Sequence, residues 1–214
     1  MILLPLLVLF TNIQIAFTMA SKTAVGKFAS QPFIQRALQN PSTPESVLSF
    51  FFGVDYSNQT QVESHIHQGQ CFDIMTGLWF GGGPEYEELC KPFKDVVRAA
   101  GNKELPRDPW TTTVDGKMAQ LLLCDQISRQ LFRGTQEAFA YDAPALENAR
   151  ALAQTVLSKD GCAVELTGEF YAPHISFMVV ACMHSESIED HDLAVKLLEY
   201  AAANTPTELS GWWE

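Results

Sequence analysis

The sequence is short of charge, and of positive charge above all. Only 18% of its 214 residues are charged, with 14 Lys+Arg against 25 Asp+Glu, a formal net charge of −11. Such a surface repels phosphate backbones and anionic lipid heads, which argues against nucleic acid or a membrane surface as partner. Cysteine is also sparse. The five thiols at 71, 90, 124, 162 and 182 are odd in number and never form a Cys-x-x-Cys pair, so neither a structural zinc site nor a disulfide framework is indicated. No Gly-x-Gly-x-x-Gly, P-loop, Gly-x-Ser-x-Gly elbow or His-Glu-x-x-His string is present, which removes the usual signals of dinucleotide enzymes, NTPases, serine hydrolases of that fold and zincins. What is present is apolar: 47% hydrophobic residues exclude a disordered chain and allow a full core.

The two ends of the chain differ in composition. Residues 1–17, MILLPLLVLFTNIQIAF, form an uncharged run too short and too broken by Pro5 for a stable membrane span. Three basic residues, Lys22, Lys27 and Arg36, and no acid fall within residues 1–44. An apolar leader before a basic, acid-free stretch reads as a bipartite targeting segment for a plastid or other organelle. A start at Met19 is the alternative, and it implies a cytoplasmic protein. Both readings set residues 1–40 outside the fold and leave 41–214 as one domain.

From residue 42 onward the punctuation is helical. Ser42-Thr43-Pro44-Glu45 combines a capping hydroxyl, a first-turn proline and a Glu three residues after Ser42, ahead of VLSFFFG. Residues 54–70 are polar and aperiodic. CFDIMTGLWF predicts a second helix, and PEYEELCKPFKDVVRAAG a third, amphipathic and interrupted at Pro92. DGKMAQLLLCDQISRQLFRG predicts one long helix ending at Gly134. Asp142 and Pro144 open another, ALENARALAQTVLS, and HISFMVVACM is apolar on nearly every side, as a helix surrounded by others must be. Ser187 and Asp190 resemble a capping box for the last, IEDHDLAVKLLEYAAAN. The expectation is an all-α fold of about seven helices packed as antiparallel hairpins.

Charge on the greasy helix marks the candidate site. Asp125, Arg129 and Arg133 follow one another at intervals of four, with Gln126 and Gln130 beside them, on a helix that gives most of its circumference to burial. An enclosed Asp–Arg pair either locks a core or binds a ligand. Where the apolar helix ends, His184-Ser185-Glu186 sets a group titrating near pH 6.5 beside a carboxylate, open to acid–base work, metal binding or an interhelical hydrogen bond. Glu189, Asp190 and Asp192 are explained by the dipole and cap of the next helix. Arg129 and Arg133, with Gln126 and Thr135, are the binding candidates; His184, Glu186 and Asp125 are the acid–base candidates.

LLLCDQISRQLFRGTQEAFAYD (121–142), with HSESIEDH, VLSFFFG and CFD, resembles the domain-of-unknown-function family nine-two-four. The likeness covers about residues 45–203. It falls on Asp125, Gln126, Arg129, Phe132, Arg133, Gly134 and Thr135, and on His184, Ser185 and Glu186. Ser128 stands where the family pattern has proline and Gln130 where it has asparagine, and a later Arg-Phe-Gly-Arg-like stretch is absent. The resemblance implies a tetratricopeptide-like helical fold and no established activity. Two readings follow: a helical interaction module presenting a groove to a peptide or partner protein, or a small-molecule-binding protein or hydrolase-type enzyme with Arg129 and Arg133 clamping a small anionic ligand and His184 and Glu186 as acid–base or metal pair. Neither names a cofactor.

Overall fold

The computed structural model describes residues 22–66, 70–81, 83–157 and 172–204. Among these residues there is helix and no strand. No described helix is long and apolar enough to cross a membrane. The apolar leader at 1–17 lies outside the described residues.

Helical structure begins earlier than the composition of the first segment suggests. Helices α1 (Lys22–Ala29) and α2 (Pro32–Gln39) both precede residue 40. They bury Val25 and Phe28, and Ile34 and Ala37, each pair three residues apart and so on one face. The boundary drawn at residue 40 therefore has to move: part of the basic, acid-free stretch packs into the core. Its charge drew attention away from a short apolar stripe. Arg36, one of its three cations, pairs with Asp55 at 2.7 Å.

Helix α3 (Pro44–Phe52) starts as its sequence demands, although the capping hydroxyl is that of Thr43, which accepts from the Ser46 N–H at 3.1 Å. Gly53, at φ 66°, ends it in the left-handed conformation that glycine adopts freely. Seven of its nine residues are buried. Around it the aromatic side chains interlock: Phe50 stacks on Tyr86 and lies 4.7 Å from Phe93, while Phe51 stacks on Trp79 and meets Phe177 edge-on at 4.8 Å. The Trp79 indole N–H donates to the Phe51 carbonyl at 2.7 Å, so even this buried polar group is satisfied.

Helix α4 (Gln59–Ile66) lies in the stretch whose polarity gave no periodic signal, and α5 (Gln70–Gly81) follows it. Pro92 does interrupt its helix, since α6 (Gly83–Cys90) passes through a 3-10 turn, Lys91–Phe93, into α7 (Lys94–Gly101). After a helical turn at Arg107–Trp110 come α8 (Val114–Leu122), a π turn (Leu123–Ile127) and α9 (Ser128–Leu131). Helix α10 (Asp142–Leu157), α11 (Ala172–Met183) and α12 (Ile188–Asn204) complete the set.

Helix α8 is the hub. It packs against α3, α10 and α11, while α10 packs on α11 and α11 on α12. Met118, Ala119, Leu121, Leu122 and Leu123 are fully buried, which is why this segment is apolar around most of its circumference. The four residues between α11 and α12 allow only a tight hairpin, and this places His184 at the joint.

Candidate functional site

The long helix expected from residue 115 to Gly134 is not continuous α-helix. Its backbone widens into the π turn at Leu123–Ile127, with Asp125 at the middle. Single π turns inside helices occur frequently at functional sites. Here the turn carries a buried carboxylate: Asp125 has no exposed surface. An uncompensated charge there would cost several kcal/mol, so its partners decide whether the fold tolerates it.

Those partners come from two directions. The Oδ1 atom lies 2.6 Å from Nδ1 of His184 and 3.3 Å from an Nη2 of Arg129, while Oδ2 accepts from the side-chain amide of Gln126. The Arg129 guanidinium is engaged on several sides. One Nη1 donates to Asp142 Oδ1 at 2.8 Å and to the Ala138 carbonyl at 3.2 Å, and the plane sits 5.1 Å over the ring of Phe139. Arg129 thereby ties the helix after the π turn to the 3-10 turn Gln136–Phe139 and to the start of α10.

Proton accounting fixes the state of His184. Its Nδ1 is 2.6 Å from the carboxylate and 3.0 Å from Nη2 of Arg129. A single ring nitrogen cannot donate to the first and accept from the second. Facing a carboxylate, an unprotonated Nδ1 would set lone pair against lone pair at the shorter distance, so Nδ1 carries the proton and Arg129 Nη2 turns its hydrogen to Asp125. The His184 side chain is 34% exposed, which leaves part of the imidazole to solvent.

The other sequence candidates do not join this cluster. Arg133 stands past the end of α9, because the helix stops at Leu131 and Phe132 leaves helical geometry at φ −116°. The interval of eight from Asp125 thus no longer sets them on one stripe. Arg133 instead meets Glu87 at 2.5 Å and Gln130 at 2.6 Å, with 58% of its side chain exposed. Thr135 donates to the Phe132 carbonyl at 2.7 Å, a local turn contact. Glu186 is exposed, and the carboxylate beside His184 is Asp125, 59 residues earlier, rather than Glu186, two residues later.

A second buried carboxylate has a partner that the sequence does not mark. Asp190, assigned to the cap of the last helix, is 2% exposed and takes both of its oxygens to Arg150, at 2.7 and 2.8 Å. Ser185 adds a hydroxyl to the same carboxylate at 2.5 Å and accepts from the Ser187 N–H at 3.1 Å, while the Ser185 carbonyl meets Nε2 of His191 at 2.7 Å. The Arg150 guanidinium holds the Asp190 carboxyl below its ordinary value, more than offsetting the opposite push of burial. The signal available beforehand was Arg150 on α10, but forty residues separate it from its partner.

Burial pushes the thiols the other way. Cys124 is raised to about 12 and Cys182 to about 11, and Cys90 is raised as well, so all three are protonated, poor nucleophiles at neutral pH. Among the described residues no three His, Cys, Asp or Glu side chains gather in an arrangement that would hold a metal ion. His174, which the helical spacing keeps off the face of His184, is buried and meets the Tyr56 hydroxyl at 3.0 Å.

The string that carries Asp125 and Arg129, and the helix joint that carries His184, both lie within residues 47–211, which match the family model described as Bacterial protein of unknown function (DUF924). The chain belongs to that family. The match spans α3 to α12 and leaves α1 and α2 before it. No curated protein and no solved structure matches the chain. This DUF924 protein therefore has a buried ion-pair cluster in an all-helical fold, and its role has to be argued from geometry.

Proposed function

We propose that this DUF924 protein is a helical binding module, and that Asp125, Arg129 and His184 form the lock that holds its α8–α12 region in one arrangement. The observation that carries this reading is the saturation of Arg129: Asp125, Asp142, the Ala138 carbonyl and the Phe139 ring engage its guanidinium from within the chain. An arginine already neutralised by two carboxylates is a poor clamp for a further anion. Arg133, 58% exposed and paired with Glu87, lies outside that cluster. Arg129→Ala tests the lock. It leaves Asp125 with a weakened set of partners at a fully buried position and is expected to destabilise the fold by about 3–5 kcal/mol. An unchanged melting temperature overturns the reading.

One observation favours acid–base chemistry as a second reading. A buried carboxylate holds Nδ1 of a partly exposed imidazole at 2.6 Å, the relation that orients a general base. In this reading His184 is the proton-transferring group, Asp125 its positioning residue, and Glu186 has no part. Its test is turnover: a substrate whose conversion is lost in His184→Gln supports it, and unchanged turnover in that variant opposes it.

A further inference from the structure

The groove beside α7, α8 and α10 holds two lysines, Lys103 and Lys117, that take no part in the lock. It is an open depression of about 230 Å³, lined among others by Lys103, Lys117, Gln120, Glu147 and Asn148. Its volume is at the small end for a ligand site, room for a few heavy atoms rather than a peptide. In a chain with 14 basic residues and 25 acidic ones, two lysines on one concavity stand out. Both are ammonium point charges, which suit the tetrahedral oxygens of a phosphoryl group better than the fork geometry that a planar carboxylate favours.

The backbone supplies an independent reason. Lys103 has φ 60°, the only non-glycine residue with positive φ among the described ones. It follows α7 in the position where glycine or asparagine normally closes a helix, and the closing bonds are present: Lys103 N–H to the Ala100 carbonyl at 3.1 Å and Glu104 N–H to the Ala99 carbonyl at 2.8 Å. A lysine here carries a strain that glycine would not. Its exposed pair with Glu147 at 2.6 Å is too solvated to explain the choice. Backbone strain of this kind clusters at ligand clamps.

We propose that this groove binds a small phosphoryl-bearing anion, with Lys103 and Lys117 as its charge contacts. The anion displaces Glu147 from Lys103, a weak exposed pair. The Asn148 amide keeps one hydrogen on the Pro144 carbonyl at 3.0 Å and offers the other to the ligand. The site deepens the binding-module reading by naming a ligand class, and it is separate from the Asp125–Arg129–His184 lock.

The experiment is a titration of the full chain with inorganic phosphate and, separately, with succinate, at constant ionic strength, followed by melting temperature and calorimetry. Phosphate is expected to give a saturable stabilisation exceeding that of succinate. Lys117→Gln should weaken it at least tenfold, and Glu147→Gln should strengthen it. Lys103→Gly carries the sharpest expectation: it should raise the melting temperature of the unliganded protein by relieving the backbone while lowering phosphate affinity. No saturable response in the parent protein, or an unchanged affinity in both lysine variants, overturns the site. Failure here is read in the ligand-induced shift, whereas failure of the lock is read in the unliganded stability of Arg129→Ala, so the two are told apart.

Discussion

The Oδ1 atom of Asp125 and Nδ1 of His184 stand 2.6 Å apart although 59 residues separate them in the chain. The contact joins the middle of a π turn to the residue that follows α11, in a region also tied by Arg129–Asp142 and Arg150–Asp190. A buried carboxylate contributes little net stability when paired, yet losing one partner is costly because the charge stays inside. In the proposed lock, its value would lie in specifying one arrangement of the helices.

A double-mutant cycle measures that coupling. Asp125→Asn and His184→Gln should each destabilise the protein, and the pair together should cost less than the two singles added, with a coupling of about 1–3 kcal/mol. His184→Gln alone should cost less than Arg129→Ala, since the imidazole is 34% exposed and the guanidinium 21%. Denaturant unfolding of the four proteins reads both. Strict additivity would mean that the two groups do not interact in solution.

The Arg150–Asp190 pair predicts an acid dependence. The Asp190 carboxyl is held below its ordinary value of 3.8 by Arg150. A group whose value is depressed in the folded state stabilises it above the unfolded value and loses that contribution as pH falls through the folded one. Arg150→Ala should therefore be less stable than the parent at pH 7 by about 1–2 kcal/mol, the guanidinium being half-exposed and solvent-screened. The gap should narrow as pH drops below 3.8 and should be insensitive to pH between 6 and 8. Urea midpoints for the two proteins across pH 2–8 check this, and a constant gap down to pH 2 would assign the cost of the variant to lost packing.

Much of the helical architecture was legible because its signals are local. Pro44 and Gly53 bracket α3, Pro92 breaks the α6–α7 helix, and the apolarity of 175–183 marks a helix buried around most of its circumference, with Ser176, Val180 and Met183 as a partly exposed stripe. Local signals also mislead. Three cations and no acid disguised α1 and α2, whose buried faces amount to Val25, Phe28, Ile34 and Ala37. The π turn at Leu123–Ile127 has no periodicity of its own, so the stripe drawn from Asp125 through Arg129 to Arg133 continued past the point where the helix actually ends. Spacing found the Asp125–Arg129 pair at i, i+4. It had no means of finding that His184 turns to a carboxylate 59 residues away instead of to Glu186, or that Asp190 turns inward to Arg150.

Tyr86 gives a prediction of the opposite sign. The residue is 2% exposed, stacks on Phe50, and its hydroxyl is buried without a hydrogen-bond partner among the described residues. Burial raises its phenol well above the ordinary value, so the group stays neutral and the penalty is that of an unsatisfied hydroxyl. Tyr86→Phe keeps the ring and removes the stranded oxygen. It should stabilise the protein by about 1 kcal/mol, where most core substitutions destabilise. A lower unfolding midpoint for Tyr86→Phe would show that the hydroxyl is satisfied in solution.

Gly116 should be the least replaceable small residue of α8. It lies in the first turn, where the Thr113 hydroxyl accepts its N–H at 2.9 Å and pins the helix start. A Cβ built on it would come within 2.3 Å of the Pro109 carbonyl oxygen and 2.5 Å of that of Trp110. Both are backbone atoms, so the collision cannot be relieved by a side-chain rotation. The helix or the Arg107–Trp110 turn has to move, and Trp110, buried in the core, moves with that turn. Gly116→Ala should destabilise by about 1–3 kcal/mol despite alanine's better helix propensity. Gly26→Ala is the control: it sits within α1 with nothing within 4 Å of its built Cβ, and there the propensity gain should prevail. Thermal unfolding of the two variants should shift in opposite directions; a shared sign would mean that the close approach at Gly116 does not constrain the helix start.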